Sequence, residues 1–196
     1  MSDLPGWLRP IAEGARAITA DELTRFVPPP DSDARRGAVL TLFGEGPAGP
    51  DLLLTERAHG MRSHPGQISF PGGSLDPTDA SPAAAALREA EEETGLDPAE
   101  VESVHRVPVE ELLDATHRVT VTHPSGYRSP GFLIGDDKDL ILWGFTAGII
   151  TRLFDFVGWT RPWDASVIRE LPDYMLASDG VNQGTRIRPQ NDTEDA

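Results

Sequence analysis

Residues Ser81 to Gly95 constrain this 196-residue chain more than any other stretch, because they specify a short helix with three carboxylates on one side. Ser81 suits an N-cap, Pro82 suits the first helical position, and Ala83-Ala84-Ala85-Ala86-Leu87 has high helix propensity. Gly95 is a stop, so the spacing predicts a helix from about Pro82 to Thr94. Within it Glu89, Glu92 and Glu93 are three and four residues apart and share a face, while Ala83, Leu87, Ala90 and Thr94 form a stripe of low polarity that can pack. Upstream, Gly72-Gly73 allows a tight backbone turn that a side chain would obstruct.

Three clustered carboxylates repel one another and need open solvent or bound positive charge. Mg²⁺ or Mn²⁺ supplies that charge, since both prefer oxygen ligands and bridge carboxylates to phosphate oxygens. A bare acidic helix is more often a solvated face, here with Arg88 and Glu92 as an i,i+4 pair. The glycine turn and the spacing favour a divalent-metal site for cleaving a diphosphate.

Arg88-Glu89-Ala90-x-Glu92-Glu93-x-Gly95-Leu96 resembles the second half of the Nudix box of Nudix hydrolases. The first half departs: Asp79 stands where a glutamate is usual, and the spacing from Gly73 to Arg88 is one residue longer. Leu53-Leu54-Thr55-x-Arg57-Ala58-x-x-x-Arg62-x-x-x-Gly66-x-x-x-Phe70-Pro71-Gly72-Gly73 resembles the signature that accompanies the box in coenzyme A pyrophosphatases. The resemblance implies an α/β protein, a Nudix α/β/α sandwich with a mixed sheet. It also implies metal-dependent hydrolysis of coenzyme A or acyl-coenzyme A to 3′,5′-ADP and 4′-phosphopantetheine or its acyl derivative.

Mg²⁺ or Mn²⁺ is the implied cofactor, with Glu89, Glu92, Glu93 and the Gly73 carbonyl as metal ligands. Glu92, Glu93 and Arg88 form the implied catalytic set, Arg88 as a support and the general base unassigned among the glutamates. Arg57, Arg62 and Gly72 are expected at the substrate, the arginines through bidentate bonds to phosphate. Hydrolysis of ADP-ribose or a dinucleotide uses the same metal site with another pocket. A noncatalytic, nucleotide-binding Nudix module is the alternative from a different class.

Net charge is −15, from 32 acidic against 17 basic residues. That balance disfavours nucleic acid and anionic membrane as partners, leaving a small-molecule diphosphate, with a homodimer left open. It also opposes an anionic substrate at long range, so metal and local arginines must reverse the field. The chain has no cysteine, hence no disulfide framework and no thiol nucleophile. No apolar leader or membrane-length run is visible, which makes cytoplasm the expected location. The expected division is an N-terminal arm over 1–33, a domain over 34–186 and a disordered acidic tail over 187–196.

A short helix is expected near Ala20 to Phe26, and strands over Gly37 to Phe43, Asp51 to Glu56 and Gln67 to Phe70. Gly44-Glu45-Gly46-Pro47-Ala48-Gly49 is a literal GxGxxG, but a strand follows rather than a helix, which makes it a hairpin loop. A strand is expected over Val101 to Val107, a short helix over Pro108 to Leu113, and a hairpin from Val119 to Thr122 and Gly131 to Ile134. Leu140 to Val157 reads as a helix, with Trp143, Phe145 and Phe154 in the core. His59 and His64 lie in the signature loop, whereas His105, His117 and His123 show no ligand spacing, and none of the five is assigned to catalysis.

The resemblance also leads one to expect two further strands after the acidic helix, before a stretch like Val104 to Leu112. Only Asp97 to Ser103 stand there, whereas two strands and their turns need on the order of 15 to 20 residues. Either central strands are lost or a segment is omitted. Omission is favoured, because loss would expose apolar strand edges.

Overall fold

The structure, a computed structural model, describes residues 4–24, 35–61, 64–95 and 101–176. Helix α1 (Arg9–Ala17) is followed by α2 (Ala20–Leu23), which a capping box opens: Thr19 N–H donates to Glu22 Oε2 at 2.8 Å. Both pack on α5 (Gly144–Phe156), where Ile11 enters the main core and Arg152 donates to the Glu22 carbonyl at 2.9 Å.

The strand expected over Gly37 to Phe43 is two strands. β1 (Gly37–Val39) pairs antiparallel with β5 (Gly72–Ser74), and β2 (Phe43–Gly46) pairs with β3 (Gly49–Arg57). A change of partner causes the break: Leu40 N–H still donates to the Pro71 carbonyl at 2.8 Å, whereas the Leu42 carbonyl already accepts from Leu53 N–H at 3.0 Å. The GxGxxG segment is the β2–β3 hairpin, as expected. Its glycines make room for Asp51, since a Cβ at Gly44 or Gly46 would stand 2.6 or 2.7 Å from an Asp51 oxygen. Asp51 in turn pairs with Arg106 at 2.6 Å.

β3 is central. β2 and β4 (Ile68–Ser69) take one edge, and β6 (Val101–Pro108) takes the other, from Asp51↔Pro108 to Arg57↔Val101. β6 therefore covers the edge that a loss of strands was expected to expose. The passage 96–100 itself lies outside the described residues.

α4 (Val109–Leu113) leads to β7 (Arg118–Thr122) and β8 (Arg128–Ile134), the expected hairpin. The apolar run from Leu140 is not all helix: β9 (Leu140–Leu142) pairs with β8 first, and α5 starts only after Gly144 turns the chain with φ +68°. β10 (Ile168–Glu170) joins β7 in parallel, giving a mixed sheet ordered β10-β7-β8-β9, and α6 (Asp173–Leu176) follows. Leu52, Leu54, Ile68, Phe132, Leu142, Ile150 and Phe154 fill the main core. Trp143 packs on a smaller cluster on the other side of the sheet, and Phe145 is exposed in the first turn of α5, so of the three aromatics only Phe154 lies in the main core.

The acidic helix, α3 (Pro82–Thr94), has the expected ends, and Ser81 Oγ accepts from Ala84 N–H at 3.1 Å. Its packing face differs from the expected stripe. Ala85, Ala86 and Ala90 are buried against β1 and β5, whereas Ala83, Leu87 and Thr94 are exposed. The ribbon it packs on is glycine-rich, so the helix can come close to it on the face with the shortest side chains.

Candidate active site

α3 and the Gly72-Gly73 turn meet through short residues on both sides. Gly72 has φ +151°, and a Cβ there would stand 2.6 Å from Val39 Cα and against the Ala38 carbonyl, so only glycine fits. A Cβ on Gly73 would collide with the Glu89 carboxylate, 2.5 Å from its Cδ. One turn on, Glu93 Oε2 accepts the Gly72 N–H at 3.0 Å. Two carboxylates thus converge on two glycines.

Glu92 does not join them. At about 100° per residue, Glu93 lies about 40° round the helix from Glu89 and Glu92 about 60° the other way, so a face centred between Glu89 and Glu93 leaves Glu92 at its rim. Its side chain is 61% exposed and bonds Arg88 at 3.2 Å. Among the described residues no three acidic or imidazole groups converge as a ready cation site.

Arg88 is a brace. Its Nε and one terminal nitrogen hold Asp79 at 3.1 and 3.0 Å, and the latter also reaches the Ser74 carbonyl at 3.2 Å. The other terminal nitrogen lies between Glu89 at 3.1 Å and Glu92 at 3.2 Å. Every nitrogen of Arg88 is thus occupied by the chain itself. Hydrogen bonds from Arg88, then from Asp76 N–H, hold the Asp79 carboxyl below its usual pKa, and Asp79 chiefly raises that of Arg88. The aspartate in place of the usual glutamate is therefore part of the site, a role its one-residue displacement in the sequence hid.

Glu89, Glu93 and the Gly73 carbonyl could offer a cation oxygen ligands alone. That carbonyl oxygen faces β1, 2.9 Å from where a Cβ on Gly37 would stand. Such a set, with no side chain on the turn, suits a hard divalent cation. Arg57 is half-buried; one terminal nitrogen meets Met61 Sδ at 3.3 Å, and its Nε is buried with no hydrogen-bond partner. Arg62 lies outside the described residues.

Helix, glycine turn and braced carboxylates define an α/β protein with an acidic site suited to cations. The NUDIX domain model matches residues 33–142, more than half of the chain, and the chain belongs to the Nudix family. Curated relatives carry the name "Uncharacterized Nudix hydrolase NudL". The one from Enterobacter sp. (strain 638) is 59% identical over 59 residues, 30% of this chain and 31% of that protein. The one from Escherichia coli (strain K12) is 51% identical over 74 residues, 38% of each chain. The matched stretch thus spans about a third of these relatives. A MutT/nudix family protein from Enterococcus faecalis overlays with a TM-score of 0.43 at 15% identity, covering 80% of this chain and 76% of that one.

Proposed function

We propose that this protein is a metal-dependent Nudix pyrophosphohydrolase that cleaves coenzyme A or acyl-coenzyme A to 3′,5′-ADP and 4′-phosphopantetheine or its acyl derivative. The convergence of Glu89 and Glu93 on the Gly72-Gly73 turn carries the reading of the reaction. Membership of the Nudix family and the relatives' description as hydrolases support it. The Leu53 to Gly73 signature supports the substrate.

Glu89, Glu93 and the Gly73 carbonyl would hold Mg²⁺ or Mn²⁺, with Glu92 as a further ligand. The bound cation supplies neutralising charge for diphosphate oxygens and lowers the pKa of water. The chain's own residues do the rest. Arg88 fixes Glu89 relative to Asp79, and Gly72 N–H orients the Glu93 carboxylate. A glutamate of this group accepts the proton of the attacking water. Arg57 would offer guanidinium N–H donors to a phosphate oxygen.

Product analysis with coenzyme A, acyl-coenzyme A, ADP-ribose and NADH, in Mg²⁺ or Mn²⁺, tests the reading. Release of 3′,5′-ADP from coenzyme A is expected. Preferential cleavage of ADP-ribose or NADH would replace the substrate, and no turnover by folded, metal-supplied protein would leave a nucleotide-binding module.

A further inference from the structure

The signature loop carries a second polar centre that the acidic site does not use. Alternate residues of a strand share a face, so Glu56 lies on the side of β3 that carries the core residues Leu52 and Leu54. Pairing with β6 sets Ser103 opposite Glu56 and His105 opposite Leu54. Register alone therefore brings a carboxylate, a hydroxyl and an imidazole to the polar end of an apolar stripe. His59 closes the group from the turn after β3.

The Glu56 side chain is 8% exposed and is bonded by three groups. His59 Nε2 lies 2.9 Å from Oε1, while Ser103 Oγ and His105 Nε2 lie 2.9 and 3.1 Å from Oε2. An ionised carboxylate only accepts, so His59 presents Nε2–H to it and turns Nδ1 away, while His105 Nε2 also meets Ser103 Oγ at 2.8 Å. Burial opposes the charge on Glu56, and the bonds from His59, His105 and Ser103 outweigh it, leaving the pKa below the usual value. The His59 side chain is 47% exposed, and its ring centre lies 5.1 Å from that of Tyr174 on α6. Gly66 leaves the space: with φ +63°, it would place a Cβ 2.6 Å from the tyrosine ring and 3.2 Å from His59 Cε1.

A buried carboxylate is costly, and this one fixes the tautomer and the tilt of a half-exposed imidazole. Gly66, which stands against His59, is six residues from Gly72, at most about 20 Å along an extended chain and within the span of a long organic arm. We propose that His59, positioned by Glu56 and walled by Tyr174, contacts the organic arm of the diphosphate substrate, its Nδ1 accepting a hydrogen bond from an amide or hydroxyl group. This rests on the hydrolase reading above.

Two measurements test it. In steady-state kinetics with coenzyme A, His59→Ala and Tyr174→Leu raise KM about tenfold, the effect of one lost hydrogen bond or stacking wall, with kcat little changed. Glu56→Gln gives a smaller rise, and inorganic pyrophosphate, which has no organic arm, is handled equally by all variants. In ¹⁵N-histidine NMR with EDTA present, coenzyme A shifts the His59 Nδ1 resonance, assigned by its loss in His59→Ala. Unchanged KM with an unmoved His59 resonance overturns the proposal. If wild-type protein hydrolyses nothing, the hydrolase reading fails by itself, and the NMR titration alone decides the contact: a shift upholds it and no shift overturns it.

Discussion

α5 and α3 are both thirteen-residue helices, yet they are held in opposite ways. α5 buries Ile149, Ile150, Leu153 and Phe154 in the main core, whereas α3 buries only Ala85, Ala86 and Ala90 against a glycine-rich ribbon. Large apolar side chains give α5 its share of stability through area removed from water. α3 relies on close backbone approach and on a charged brace through Arg88 and Asp79. The helix that carries the carboxylates is thus set by fit and charge, and the helix behind it by bulk.

The largest stability change should come from α5. Phe154→Ala removes a side chain with no exposed surface, and a loss of about 3 to 5 kcal/mol is expected in denaturant unfolding. On the α3 side activity should fall further than stability. Gly73→Ala forces the Glu89 carboxylate out of place, and turnover should drop about a hundredfold or more, while the unfolding midpoint moves far less than for Phe154→Ala. A melting shift as large as that of Phe154→Ala would mean that the turn is structural first.

Acid should separate the two regions next. Because the pKa of Asp79 is depressed in the folded state, its contribution is present above the unfolded value near 4 and is lost as pH falls through the lowered one. Amide exchange over α3 should therefore rise in that window before exchange over α5 does, and Asp79→Asn should show the faster exchange already at neutral pH. Simultaneous loss of protection in both helices would break the comparison. The smallest effect is at the cap: Ser81→Ala should cost about 1 kcal/mol or less.

Both ends of α3 were legible because caps and stops act within a few residues, and Ser81, Pro82 and Gly95 are local signals. The GxGxxG hairpin was legible for the same reason, since a strand, not a helix, follows it. What escaped was set by partners distant in the chain. Leu40 to Leu42 divide β1 from β2 because the segment changes sheets, and Leu140 to Leu142 extend because β8 offers an edge. The Glu56, Ser103 and His105 group depends on a register between strands more than forty residues apart. Spacing put Glu92 on one side of the helix with Glu89 and Glu93, and the helical angle leaves it at the rim of that face, beside Arg88.

The central claim is that position on α3, not acidity, makes the site. It is tested most directly by comparing Glu93→Gln with Glu91→Gln, an exposed neighbour on the same helix, in coenzyme A hydrolysis with Mg²⁺ or Mn²⁺. Glu93→Gln should lose about a hundredfold or more of the 3′,5′-ADP release, with its fold intact, while Glu91→Gln should stay close to wild type. Equal activity in the two variants would contradict it.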